Sequence, residues 1–337
     1  MKIANRMEKL APSLTLSITA LANELKAAGK DILSFSAGEP DFDTPQVVKD
    51  AAIKAINEGK TKYTAVEGIK ETKQAIINKL KKDHNLDYTL DKIVISNGAK
   101  HSLFNLAQAL IDEGDEVIIP SPYWVTYPEL VVYSGGVPVF IETDESTEFK
   151  ITAKQLKEKI TPKTKILMLN SPSNPTGSIY SRDELLAIGE VLKGTDIVVL
   201  SDEMYEKLIY KGKKFTATAE VSEDMYNRTV TINGLSKSVA MTGWRFGYVA
   251  CPNSALAKAM SKLQGQVTSN VNSMTQYAAI VALEGEANKD IEMMRVEFEK
   301  RKDYAVKAIN NISKLSCYDP DGAFYLFINI KNTQMTL

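Results

Sequence analysis

Residues 165–201 read KILMLN, SPSNPTGSIYS, RDELLAIGEVL, KGTD and IVVLS in succession. The short apolar run Lys165–Asn170 gives way to a loop rich in proline and serine and closed by glycine. Arg182–Leu192 then carries apolar residues at helical spacing, and Ile197–Ser201 is again a β-rich run. Working outward, strand-like runs stand at Lys92–Ser96, Glu116–Pro120, Val137–Glu142, Thr229–Asn233 and Tyr248–Cys251, and Lys100–Ile111 is a second helical pattern. The alternation predicts an α/β fold, a mostly parallel seven-stranded sheet flanked by helices on both faces. In such sheets ligands gather at the carboxyl ends of the strands.

The 337 residues are too many for one minimal core and predict two domains. Residues 1–45 end in the turn-rich stretch Gly38–Pro45 and are assigned to an N-terminal arm and part of a small domain. Residues 46–285 make the large domain. Residues 286–337 supply a linking helix and an incomplete, smaller α+β domain. Glu284–Ile312 reads as one long charged helix with Ile291, Met294, Phe298, Tyr304 and Ala305 on or near one stripe, and Cys317–Ile330 as a strand pair.

Composition narrows the function. A net charge of -1 advertises neither nucleic acid nor an anionic membrane as a partner. No run approaches the ~20 apolar residues a bilayer demands, and polar residues break the Leu14–Leu21 run behind Pro12, so export is not expected and the cytoplasm is. Cys251 and Cys317 lack metal-ligand spacing and read as free thiols in a reducing compartment. His84, in the polar loop Lys81–Asn85, and His101, in the first turn of a predicted helix, have no partners for a triad or metal site. Both are assigned to structure or solvent, and no metal is expected.

Four stretches carry candidate chemistry. Ser96-Asn97-Gly98-Ala99-Lys100 follows a strand and opens a helix, where free backbone N–H groups and the positive helix end can hold a phosphate; glycine at such a turn also serves plain geometry. Asn170–Gly177 contains two X-Pro bonds and a closing glycine, a rigid loop that could aim Asn174 at a ligand or merely connect. Asp202 and Tyr205 lie three residues apart at a strand end, able to reach one ligand or to start a solvated helix. Asn233–Tyr248, with Lys237 among small and polar residues and Arg245 eight positions on, fits neither a helix face nor a strand face. Irregularity of that kind points to function.

These residues resemble the class I aminotransferases of the fold-type I pyridoxal-phosphate enzymes, in their bacterial aspartate aminotransferase branch. Ser236-Lys237 followed by Met241-Thr242-Gly243-Trp244-Arg245 is highly specific to that group. Ser171–Gly177, Pro122-Tyr123-Trp124, Gly38–Phe42, Tyr63-Thr64-Ala65 and Gly322-Ala323-Phe324-Tyr325 follow in the family's order over nearly the whole chain. The resemblance implies pyridoxal 5'-phosphate as cofactor and Lys237 as the catalytic lysine that holds it as a Schiff base. Arg245 and the backbone N–H groups of Gly98, Ala99 and Lys100, with Ser236, would hold the phosphate. Tyr63 would reach the phosphate of a neighbouring subunit's cofactor, making the protein a homodimer. Asp202 would sit beneath the pyridine nitrogen, Asn174 and Tyr205 would donate to the phenolic oxygen, and Trp124 would stack on the ring. Gly38, Trp124 and Asn174 would also approach the substrate.

The implied reaction moves an amino group between an L-amino acid, aspartate or glutamate in first place, and a 2-oxo acid by a ping-pong mechanism. A β-lyase or aromatic transaminase on the same fold, or a weakly active cofactor-binding product, are the alternatives. The family continues beyond its Gly-Ala-Phe-Tyr stretch and carries there an arginine for the substrate α-carboxylate. No arginine follows Arg301 here, so either a partial sequence or a truncated product is expected.

Overall fold

The computed structural model describes every residue except 13, 36, 37 and 335–337, and every side chain among these but that of Leu16. All seven expected runs are strands, with ends shifted by a residue or two. They are β1 (Ile93–Asn97), β2 (Glu116–Ser121), β3 (Val137–Glu142), β4 (Thr164–Asn170), β5 (Val198–Asp202), β6 (Thr229–Gly234) and β7 (Phe246–Ala250). They form one sheet in the order β1-β7-β6-β5-β4-β2-β3. Neighbours pair in parallel except around β7, which is antiparallel to both β1 and β6.

Strand side chains alternate between two apolar layers, as a sheet covered on both faces requires. Val94, Val117, Ile119, Ile166, Met168 and Val249 pack on one side with Leu103 and Leu106 of the helix Ala99–Leu110. On the other, Ile118, Leu167 and Val199 meet Leu185, Ile188 and Leu192 of the helix Arg182–Leu192, whose boundaries match the expectation. Ser181 and Glu184 form a capping box that fixes where this helix starts. Ile93, Ile95, Phe246 and Tyr248 face the helices Lys70–His84 and Ser273–Glu284.

Two expectations are corrected. The long helix expected over Glu284–Ile312 is Asn288–Asn310, while Glu284 ends the preceding helix Ser273–Glu284, which Gly285 at φ 99° caps in a left-handed turn; Ile291, Met294 and Phe298 are buried along it as expected, but Tyr304 is 78% exposed. His84 does not lie in a solvated loop: it closes the helix Lys70–His84 and is buried under the loop that follows β5. There its Nε2 meets Glu206 at 2.9 Å and its Nδ1 meets Glu220 at 3.3 Å, while Lys79 pairs with the same Glu206 at 2.5 Å. Burial works against a charge on His84, yet the hydrogen bonds to both glutamates outweigh it and raise the imidazole to about 9. This charged cluster pins Glu206, the residue after Tyr205. His101 is structural, as expected: its Nδ1 accepts the Asn97 N–H at 3.2 Å and tightens the turn after β1.

Cys317–Ile330 appears as a short antiparallel pair, Ser316–Cys317 with Ile328–Asn329. The chain between them lies on the carboxyl edge of the sheet: Gly322 N–H donates to Gly177 C=O and Ala323 N–H to Leu208 C=O, both at 2.9 Å. Both cysteines are free and buried. Among the described residues no helix is long and apolar enough to cross a membrane.

Candidate active site

The carboxyl ends of β1, β4, β5 and β6 and the start of β7 lie along one edge, so the four stretches singled out from sequence converge there. At β1 the chain turns through Gly98, φ 81°, into the helix Ala99–Leu110. The N–H groups of Ala99 and Lys100 open that helix and have no partner within it. Arg245 enters β7 at φ 56°, a left-handed conformation unusual for a residue with a side chain. Its guanidinium lies on Gly98: a Cβ there would come within 2.5 Å of Nη2. Nη1 donates to Thr242 C=O at 2.9 Å. A helix N-terminus, a glycine and an exposed guanidinium thus form a cradle for an anionic group.

Lys237 belongs to the turn that links β6 to β7, next to the buried Ser236. Its amine donates to Gly38 C=O. Burial lowers the ammonium to about 8, with Arg245 assisting and the carboxylates of Glu39 and Asp202 opposing. Gly38 is brought here because its stretch docks on the same turn. Thr44 Oγ1 donates to Ala240 C=O at 2.7 Å, and Thr242 Oγ1 donates to Glu39 at 2.8 Å.

Asp202 ends β5 and is 5% exposed. Tyr127 O–H donates to its Oδ2 at 2.8 Å and Met204 N–H to its Oδ1 at 3.2 Å. Burial nonetheless pushes the carboxyl up to about 6. Asn170, opposite Asp202 in the β4–β5 register, donates its amide to Asp202 C=O at 2.9 Å and accepts the Asn174 N–H at 2.7 Å. That bracket holds the half-buried Asn174 beside Asp202. Tyr205 is buried with its hydroxyl 2.6 Å from that of Tyr325. Trp124 is edge-on to Tyr127, ring centres 5.5 Å apart, and carries the Lys100 amine 4.7 Å from its own ring centre. Partial burial lowers Lys100 as well, again with help from Arg245.

Of the residues expected from sequence, Tyr63 alone stands apart from these contacts, 90% exposed. Sequence reading overlooked Tyr127, Asn170 and the hydroxyl of Tyr325. Tyr127 carried a usable signal, since it lies three residues past Trp124 where a helix begins and so shares its face. Asn170 is legible only once β4 and β5 are set in register.

The donor set fits a flat aromatic aldehyde with a phosphate and a ring nitrogen: an anion cradle, a largely desolvated amine, and a buried carboxylate with no cationic side chain bonded to it among the described residues.

Comparison with known proteins agrees with that chemistry. The family model described as aminotransferase class I and II matches residues 30–337. The aspartate aminotransferase of Geobacillus stearothermophilus is 52% identical over 331 residues, 98% of this chain and 84% of the relative. The aspartate/prephenate aminotransferase of Nitrosomonas europaea is 47% identical over 344 residues, 100% of this chain and 86% of the relative. Among solved structures, the aspartate aminotransferase from Rhizobium meliloti superposes with a TM-score of 0.95 at 43% identity, covering 98% of this chain and 83% of that one.

Proposed function

From the premise that the chain belongs to the class I and II aminotransferase family and is a transaminase, we propose that it uses pyridoxal 5'-phosphate to move the amino group of aspartate to 2-oxoglutarate. The observation that carries this reading is a buried Lys237 amine, held at about 8, within reach of the charges of both Arg245, which lies on Gly98, and the buried Asp202. Two relatives named for aspartate favour that donor, and the one named also for prephenate favours a second acceptor to be tried.

In this reading the phosphate rests on Arg245 and on the N–H groups of Gly98, Ala99 and Lys100, with Ser236 alongside. Pyridoxal phosphate supplies an aldehyde for an amine and a ring that takes up electrons from the substrate's Cα–H bond. Lys237, with its amine lowered by burial, would be neutral at a pH where an exposed lysine is an ammonium, and so could take a proton from the substrate's Cα. Asp202 would face the ring nitrogen, where pairing with a positive charge would offset the burial that raises its carboxyl. Asn174 and Tyr205 would donate to the ring's phenolic oxygen, Trp124 would cover the ring, and Gly38, whose carbonyl accepts from the Lys237 amine, would border the substrate with Trp124 and Asn174. Residues 46–285 form the large, cofactor-holding domain, with 1–45 and 286–337 contributing to a smaller one, and the protein works in the cytoplasm. The test is steady-state kinetics with aspartate and 2-oxoglutarate, read as oxaloacetate formed. Parallel double-reciprocal lines are expected for the ping-pong order; absence of oxaloacetate, or intersecting lines, refutes the proposal.

A homodimer completes the reading. Tyr63 is exposed, as are Ile53 and Ile56 on the helix just before it, which suits a surface that a second subunit covers. Sedimentation should give twice the chain mass. Tyr63→Phe should weaken cofactor binding by about 0.5–1.5 kcal/mol, the net worth of one hydrogen bond. A monomer that holds cofactor tightly would contradict both.

A further inference from the structure

Tyr205 is not alone at its end of the site. Its hydroxyl lies 2.6 Å from that of Tyr325, and the two rings meet edge to face with centres 5.6 Å apart. Tyr325 is brought there by the 320–323 turn, which the Gly177 and Leu208 carbonyls hold on the sheet edge. Phe324 braces the pair, its ring centre 4.8 Å from that of Tyr325 and 5.5 Å from that of Tyr205. The Gly38 backbone closes over the Tyr325 hydroxyl so tightly that a Cβ on Gly38 would lie 2.6 Å from it. That same Gly38 accepts the Lys237 amine. Tyr325 is thus pinned among three of the groups assigned above, yet nothing so far gives it a task.

Counting hydrogens gives it one. Burial pushes the Tyr325 phenol up to about 12 and the Tyr205 phenol well above its ordinary value, so both carry their protons at neutral pH. Two phenols have two O–H hydrogens and make one bond between them, so one hydrogen is left to spend. Only when Tyr325 donates to Tyr205 is the remaining hydrogen on Tyr205 and free for a ligand. Accepting a bond at its oxygen also makes the Tyr205 O–H a stronger donor. We propose that Tyr325 is a positioning residue: it donates to Tyr205, and so directs and strengthens the Tyr205 O–H aimed at the phenolic oxygen of the cofactor ring. The inference rests on the pyridoxal-phosphate reading above and extends it by one residue whose hydroxyl bonds to that of Tyr205.

The consequence appears in a spectroscopic titration. A donor at the phenolic oxygen favours the form with more negative charge there, and so lowers the pH at which the lysine-bound cofactor loses its proton. A weakened donor raises that midpoint. The full chain loaded with pyridoxal phosphate is titrated by absorbance for four proteins: the parent, Tyr325→Phe, Tyr205→Phe and the double variant. Tyr325→Phe should raise the midpoint by about 0.3–1 unit, the scale of part of one hydrogen bond. Tyr205→Phe should raise it further, and the double variant should match Tyr205→Phe, since Tyr325 acts only through Tyr205. Cofactor affinity of Tyr325→Phe should stay within about threefold, because the phosphate anchors are untouched.

The outcomes separate the two claims. If the parent shows no lysine-bound absorbance, or Tyr205→Phe shifts nothing, the underlying reading fails and the relay with it. If Tyr205→Phe shifts the midpoint but Tyr325→Phe does not, the relay alone is wrong. A Tyr325→Phe shift that persists in the Tyr205→Phe background overturns the relay as well. So does a Tyr325→Phe protein that loses cofactor or thermal stability at an unchanged midpoint, which would make the contact merely structural.

Discussion

Replacing Lys237 with alanine is expected to lower turnover by about 10⁴ or more, since in the proposed function one side chain would serve both as the cofactor's covalent anchor and as a base worth about 10²–10⁴ alone. Burial is what would let this lysine do both. At pH 7 an amine titrating near 10.5 is neutral in roughly one molecule in three thousand; with burial holding Lys237 at about 8, the neutral fraction is roughly one in ten. The sign follows directly. Uptake of pyridoxal phosphate by the cofactor-free protein should accelerate as pH rises through about 8 and level off above it, where an exposed lysine would still be gaining. The rival is Lys100, whose amine is lowered for the same two reasons, partial burial and the nearby Arg245, and which sits at the mouth of the same cradle. Borohydride reduction of the loaded protein, followed by peptide mapping, decides between them. The pyridoxyl group is expected on the peptide carrying Lys237, and a label on Lys100 would overturn the assignment.

Asp202→Ala is expected to keep cofactor but to turn over about 10²–10³ more slowly, the scale of removing one preorganised electrostatic partner. Asp202 stands in a low-dielectric setting where, among the described residues, a phenol and a backbone N–H are the donors to its carboxylate oxygens. A carboxyl held at about 6 is mostly ionised at pH 7, and among the described residues no cationic side chain bonds to it. Asp202→Asn isolates the charge: the amide oxygen can still accept from Tyr127, so the geometry survives while the negative charge goes. Both variants should therefore fall together in kcat, with the cofactor dissociation constant raised by no more than about tenfold because the phosphate contacts remain. Near-normal turnover in Asp202→Ala would show that the ring nitrogen does not depend on this carboxylate.

How much of this was legible in the chain depends on the kind of signal. The seven strands were, because a sheet buried on both faces needs short apolar runs with sharp ends, and the runs here are bounded by glycine, proline and charge. The break at Gly285 was not, since the charged and apolar spacing runs on across it and only the left-handed turn ends the helix. Site residues within contiguous motifs, such as Lys237 with Arg245 and Asp202 with Tyr205, were named in advance. Asn170 and the role of Tyr325 were hidden, because each acts across a distance the sequence does not measure: one over a strand pairing, the other over 120 residues of chain. His84 was misplaced for a related reason. Its partners Glu206 and Glu220 lie more than a hundred residues downstream, and a histidine between lysine, aspartate and asparagine reads locally as surface.

The reversed strand β7 has a consequence of its own. Had β7 run parallel to β6, a crossover would have carried the chain to the far edge of the sheet before it returned. Because β7 runs back, the 235–245 turn never leaves the carboxyl edge, and it delivers both Lys237 and Arg245 from one stretch of eleven residues. In the proposed function, the covalent and the ionic hold on the cofactor therefore belong to a single hairpin. If the β6–β7 pair opens as one cooperative unit, it gives up the covalent and the ionic hold together. Amide hydrogen exchange across 229–250 should then slow as a block when cofactor is bound, and cofactor escape should follow the opening of that block rather than the sum of separate losses.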